Sequence, residues 1–124
     1  MLWVKIALLL AAFLPLVSAV AAKAGAPGFT NKEPRPWLAG LGGWRARAHA
    51  AQANAFEALP FFYAAVLFAL WSGAQPSAVG GLMAAWLILR VLYLLAYIAD
   101  KDRMRSLIWF LALAVTIRIV FLGA

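Results

Sequence analysis

Apolar runs of membrane-crossing length follow one another along most of this chain, at 2–22, 44–71, 77–99 and 106–122. A helix that crosses the hydrocarbon core needs about 20 residues, within a range of about 17–25. The pattern predicts an all-α membrane protein, a single domain of four transmembrane helices in an antiparallel bundle. Between the first two runs lies a stretch, 23–43, with Pro27, Pro34, Pro36 and five glycines. Those residues rule out a continuous helix there and predict a loop. Pro60 falls inside the second run, where it removes a backbone hydrogen bond and favours a kink.

Polar residues interrupt two of the runs. The second carries Arg45, Arg47, His49, Gln52, Asn54 and Glu57, and the third carries Arg90, Tyr93 and Tyr97. A charge near the bilayer centre costs roughly 2.5–3.5 kcal/mol on insertion scales, so such groups pair with one another or face a polar ligand. On helical spacing Arg47, Asn54 and Glu57 share one sector, and Arg45, His49 and Gln52 share the nearly opposite one. Arg90, Tyr93 and Tyr97 share a third, which Asp100 extends. With Trp44 and Asp100 marking one interface, Asn54 and Arg90 both lie about 15 Å deep. Asn54 or Glu57 is then expected to meet Arg90, with Arg47, Tyr97 and Arg105 gathered nearer the interface. The plainer alternative is a Glu57–Arg90 ion pair that only locks two helices. Against it, Arg47, Arg90 and Arg105 outnumber Glu57 and leave room for an anionic, carboxylate-bearing ligand.

Charge placement predicts orientation. Lys23, Lys32 and Arg35 fall in the first loop and Lys101, Arg103 and Arg105 in the third, whereas 72–76 holds no basic residue. The first and third loops are therefore expected in the cytoplasm and both chain ends outside. Lys5, the apolar stretch 6–17 and the small residues 18–22 resemble a secretory signal. Cleavage would export the basic first loop, so a retained span is expected. Trp37, Trp44 and Trp109 fit an inner aromatic belt and Trp3 and Trp71 an outer one, while Trp86 falls mid-span as a lipid-facing or packing residue. Arg118, close to the end of the last run, is expected to snorkel outward.

Composition narrows the function classes. The chain is 67% hydrophobic and 12% charged, against about 25% charged for an ordinary soluble domain. The net charge of +7 suits anionic headgroups, and its scatter over loops and spans argues against a nucleic-acid partner. With no cysteine and one histidine, His49, neither a disulfide nor a metal site is expected.

The polar stripes carry a likeness. Arg45-Ala46-Arg47-Ala48-His49, followed by Gln52, Asn54, Glu57 and Pro60-Phe61, resembles the second-helix signature of the membrane-associated proteins in eicosanoid and glutathione metabolism. Arg90, Tyr93 and Tyr97 resemble that family's third-helix motif, and Arg105-Ser106-Leu107 its fourth-helix start. The resemblance implies a homotrimer with glutathione as co-substrate near the cytosolic face. Asn54, Glu57, Arg90, Tyr93 and Tyr97, with Arg47 and Gln52, would bind it, and Arg105 would stabilise its thiolate as the catalytic residue. The implied reaction is transfer to a lipophilic electrophile or reduction of a hydroperoxide, in a bacterial inner membrane. This chain departs from the family where another arginine is usual, having Ala50 or Ala53 there. Trp109 replaces an aromatic hydroxyl, and the Tyr97-to-Arg105 spacing is one residue shorter than in the prostaglandin synthase of the family. A non-catalytic lipid-binding or scaffold role, or a small transporter subunit, remains the alternative.

Overall fold

A computed structural model describes residues 1–23 and 42–123. The expectations for Lys32, Arg35 and Trp37, and for most of the first loop, lie outside the described residues. Four helices follow in order: α1 Leu2–Lys23, α2 Gly43–Trp71, α3 Pro76–Ile98 and α4 Asp102–Val120. By length and composition α1, α2 and α3 can cross a membrane. The fourth carries Asp102, Arg103, Arg105 and Arg118 within its 19 residues and is not among those three. It also begins four residues before the expected start at Ser106. Asp102 explains this, because a carboxylate suits the positive end of the helix dipole. Asp102 and Arg103, expected in a loop, thus form the first turn of α4, although both are exposed as expected.

Small residues let the helices approach closely. Ala7 and Ala11 of α1, Ala65 and Ala69 of α2, and Ala112 of α4 are buried in one core cluster, as expected where backbone proximity replaces bulky side-chain packing. Phe62 and Trp86 stack in its middle with ring centroids 3.7 Å apart, so Trp86 is a packing residue and does not face outward. Long apolar side chains cover the outside: Phe13, Leu67, Ile88 and Phe110 are all at least half exposed, while Ser18, Arg90 and Thr116 are buried. That inversion of the soluble pattern suits hydrocarbon as the solvent. The second helix runs unbroken through Pro60.

Side chains from one helix grip backbone oxygens of another. The Tyr63 hydroxyl donates to the Leu8 carbonyl at 2.6 Å. Arg45 donates to the Ala22 carbonyl at 3.2 Å, joining the end of α1 to the start of α2. Arg47 donates both Nε and Nη2 to the Ile98 carbonyl, at 3.1 and 3.0 Å, joining the start of α2 to the end of α3. Just beyond Ile98 the chain turns through Asp100, whose φ of 61° is left-handed. The Asp100 and Lys101 amides donate back to the Tyr97 and Ala96 carbonyls, which closes the helix end as a left-handed cap does.

One close approach requires glycine. The Trp3 indole N–H donates to the Gly80 carbonyl at 2.8 Å, and a Cβ on Gly80 would lie 2.6 Å from Trp3 Cδ1. Gly80→Ala is therefore expected to expel the indole and lower stability by about 1–3 kcal/mol. Thermal unfolding in detergent measures it. The penalty should largely vanish in a Trp3→Ala background, and an equal penalty in both backgrounds would contradict the contact.

Candidate functional site

Three helical stripes converge on one side of the bundle. Asn54, Glu57, Ala58 and Phe61 recur at helical spacing on α2, Trp86, Arg90, Tyr93 and Tyr97 on α3, and Arg105, Trp109, Ala112 and Thr116 on α4. Apart from the adjacent pair Glu57 and Ala58, successive members stand three or four residues apart, so each stripe holds one face of its helix.

Arg90 is the centre of the arrangement. Only 5% exposed, it donates from Nη2 to Asn54 Oδ1 at 2.7 Å. Its guanidinium carbon lies 4.4 Å from the centre of the Tyr93 ring and 5.9 Å from that of Trp86. Tyr93 meets Tyr97 edge-on, with centroids 5.7 Å apart and planes at 73°. Arg105 caps the row, its guanidinium carbon 4.3 Å from the centre of the Tyr97 ring. The result is a continuous ladder, Asn54–Arg90–Tyr93–Tyr97–Arg105, built from a charge-assisted hydrogen bond, two cation–π contacts and the edge-on contact between the phenols. A guanidinium has five N–H donors, and among the described residues Arg90 spends one of them, on Asn54.

Two cavities open along the ladder. One of about 180 Å³ is lined by Asn54, Glu57, Ala58, Phe61, Trp86, Arg90, Trp109, Ala112, Leu113 and Thr116. The other, about 260 Å³, is lined by Asn54, Tyr93, Arg105, Ser106, Trp109 and Phe110. The Thr116 hydroxyl donates to the Ala112 carbonyl at 3.0 Å and is spent within its own helix.

The expected residues divide. Asn54, Arg90, Tyr93, Tyr97 and Arg105 come together. Glu57 lines the first cavity but is exposed and makes no ion pair with Arg90. Of the two partners expected for Arg90, Asn54 or Glu57, the Asn54 amide is the group that holds it, and the alternative Glu57–Arg90 ion pair does not form. Arg47 lies near the ladder's end in sequence terms, yet its fork is engaged by the Ile98 carbonyl. Gln52 lines neither cavity, and its Oε1, like His49 Nδ1, is buried without a hydrogen-bond partner. Trp109, Phe61, Ala112 and Thr116 were not among the expected site residues. The spacing 105, 109, 112, 116 is the signal that marks three of them. Among the described residues no group of three or more His, Cys, Asp or Glu could hold a metal ion.

Among the described residues Glu57 is the one carboxylate that lines either cavity, against the guanidinium groups of Arg90 and Arg105, a balance that favours an anion. No curated protein and no solved structure matches the chain. A family model does match, over residues 2–124. With three helices long and apolar enough to cross a membrane, the protein is an integral membrane protein that belongs to the MAPEG family, which includes glutathione transferases and peroxidases.

Proposed function

We infer that the protein is a membrane-bound, glutathione-dependent transferase or peroxidase acting on lipophilic electrophiles or hydroperoxides. The observation that carries this reading is the ladder: buried Arg90, held by Asn54, is linked through two phenols to Arg105. Glutathione would supply the nucleophilic thiol. Its carboxylates suit the free N–H groups of Arg90, because guanidinium and carboxylate geometries match. Tyr93 and Tyr97 offer hydroxyls, Asn54 offers its amide, and Glu57 can accept from the ammonium. Arg105 stands beside the second cavity, where a cation lowers the pKa of a nearby thiol below its free value of about 8.5. The active form in this reading is a homotrimer of antiparallel four-helix subunits in a bacterial inner membrane, with both ends outside the cytoplasm.

A second reading has one observation behind it. The fork of Arg47 is taken up by the Ile98 carbonyl, and Ala50 and Ala53 supply no replacement cation. Weaker carboxylate binding would suit a non-catalytic lipid-binding member. Titration of the purified protein with glutathione, following ultraviolet thiolate absorbance and turnover of an aryl halide, distinguishes the two. The enzyme reading expects saturable thiolate formation and turnover. Binding without thiolate would favour the non-catalytic reading, and no binding at millimolar glutathione would reject the enzyme reading.

A further inference from the structure

Arg90 also borders a third cavity. The two cavities along the ladder take their walls from α2, α3 and α4. The third takes its walls from α1, α2 and α3, with Leu14, Ser18, Ala51, Ala55, Arg90 and Tyr93 among them. All of these except Leu14 are less than a tenth exposed, so the space lies inside the bundle. Ala51 and Ala55 stand one turn apart on α2, and their short side chains leave the room. The volume is about 10 Å³, close to the least that seats one water molecule.

The polar groups that meet there have complementary needs. A guanidinium has donors and no acceptor, and among the described residues Arg90 gives one N–H to Asn54. Charged donors left bare in the interior are costly. Ser18 donates its own hydroxyl proton to the Leu14 carbonyl, at a long 3.4 Å. That leaves the lone pairs of its oxygen to accept. No direct hydrogen bond joins Ser18 to Arg90 among the described residues. A water can both accept from an N–H and donate to a hydroxyl oxygen, so it satisfies the two at once.

We propose that this cavity is a site for one structural water, which accepts from an Arg90 N–H and donates to Ser18 Oγ. Ser18 is thereby a positioning residue for Arg90. Through it α1, which walls neither of the other cavities, helps to aim the guanidinium. Ser18 opens the run of small residues 18–22, and its hydroxyl gives that run a use in the interior. A small anion is the rival occupant beside a guanidinium. A halide is larger than water and would meet the lone pairs of Ser18, so the site favours water. None of this depends on the glutathione reading.

The test compares Ser18→Ala in two backgrounds by thermal unfolding of the full-length protein in detergent, without glutathione. In the wild type the substitution should lower the melting temperature by about 5 °C. In Asn54→Leu/Arg90→Met, where no guanidinium remains to be bridged, the loss should shrink to about 1 °C or less. An equal loss in both backgrounds would tie the hydroxyl to Leu14 alone and overturn the bridge. A crystal structure of the wild type, grown with sodium bromide at a resolution that shows ordered water, reads the occupant directly. The expected result is a water within about 3.2 Å of both Ser18 Oγ and an Arg90 nitrogen. An anomalous bromide peak, a direct Ser18–Arg90 contact or no density at that position would overturn the proposal. Glutathione enters neither measurement, so failure of the enzyme reading leaves the water site standing, and failure of the water site leaves the enzyme reading standing.

Discussion

Replacing Arg105 by alanine is expected to slow turnover at pH 7 by about thirtyfold, while glutathione affinity falls far less. The size follows from ionisation. A thiol with the free pKa near 8.5 is only roughly 3% thiolate at pH 7, so losing the cation that keeps it ionised removes most of the nucleophile. The pH profile carries the sign. Under the proposed role, Arg105 holds the thiol pKa below its free value and the wild-type rate is expected to be nearly flat above neutrality. In Arg105→Ala the rate should climb with pH, about tenfold per unit, until it levels near pH 8.5. Steady-state turnover at several pH values, beside direct binding, provides the measurement. Parallel losses in binding and turnover, with no change in pH profile, would make Arg105 a binding residue and exclude the thiolate role.

The second large effect is on stability and concerns Asn54. Asn54→Leu keeps the approximate volume but removes the acceptor that Arg90 donates to at 2.7 Å. A buried charged donor left without its partner costs about 3 kcal/mol or more. Glu57→Gln, by contrast, changes an exposed side chain with no ion pair to Arg90 and should stay within about 0.5 kcal/mol. Thermal unfolding in detergent compares them. Adding Arg90→Met to Asn54→Leu should recover much of the loss, since removing both partners of a buried polar pair is far cheaper than removing one. If Glu57→Gln proves as damaging as Asn54→Leu, the carboxylate carries Arg90 after all and the contact network described above is wrong.

The stripes were legible because depth and phase along a helix are set by arithmetic. Counting from Trp44 and from Asp100 brings Asn54 and Arg90 to one level, and the two residues indeed touch. The same arithmetic separates Arg45 from Arg47, and the two donate to opposite neighbours, Ala22 on α1 and Ile98 on α3. What periodicity could not rank is choice among acceptors on one face. Asn54 and Glu57 are a single turn apart, and a formal-charge argument prefers Glu57, but the side chain that faces inward is Asn54. Nor does a motif reveal when an arginine is occupied: the fork of Arg47 closes on a backbone carbonyl, a partner invisible in side-chain patterns. Trp109 was read as an interfacial anchor because its indole fits that belt. That it also lines both cavities was within reach of the spacing 105, 109, 112 and 116 on α4, which places these residues on one line.

The corner between α3 and α4 works as a timing mark for the whole site. Asp100 turns left-handed, two amides close back on Ala96 and Tyr97, and Arg47 clasps the Ile98 oxygen. One residue inserted there and taken up as helix would rotate the side chains of α4 relative to the corner by about 100° and advance them by about 1.5 Å. Arg105 would swing off the Tyr97 ring and a different side chain would take its place. The identity of the group that stacks on Tyr97 is thus governed by the length of a three-residue bend as much as by the residue written at position 105, and chains with the same arginine but a longer bend need not aim it at the same target.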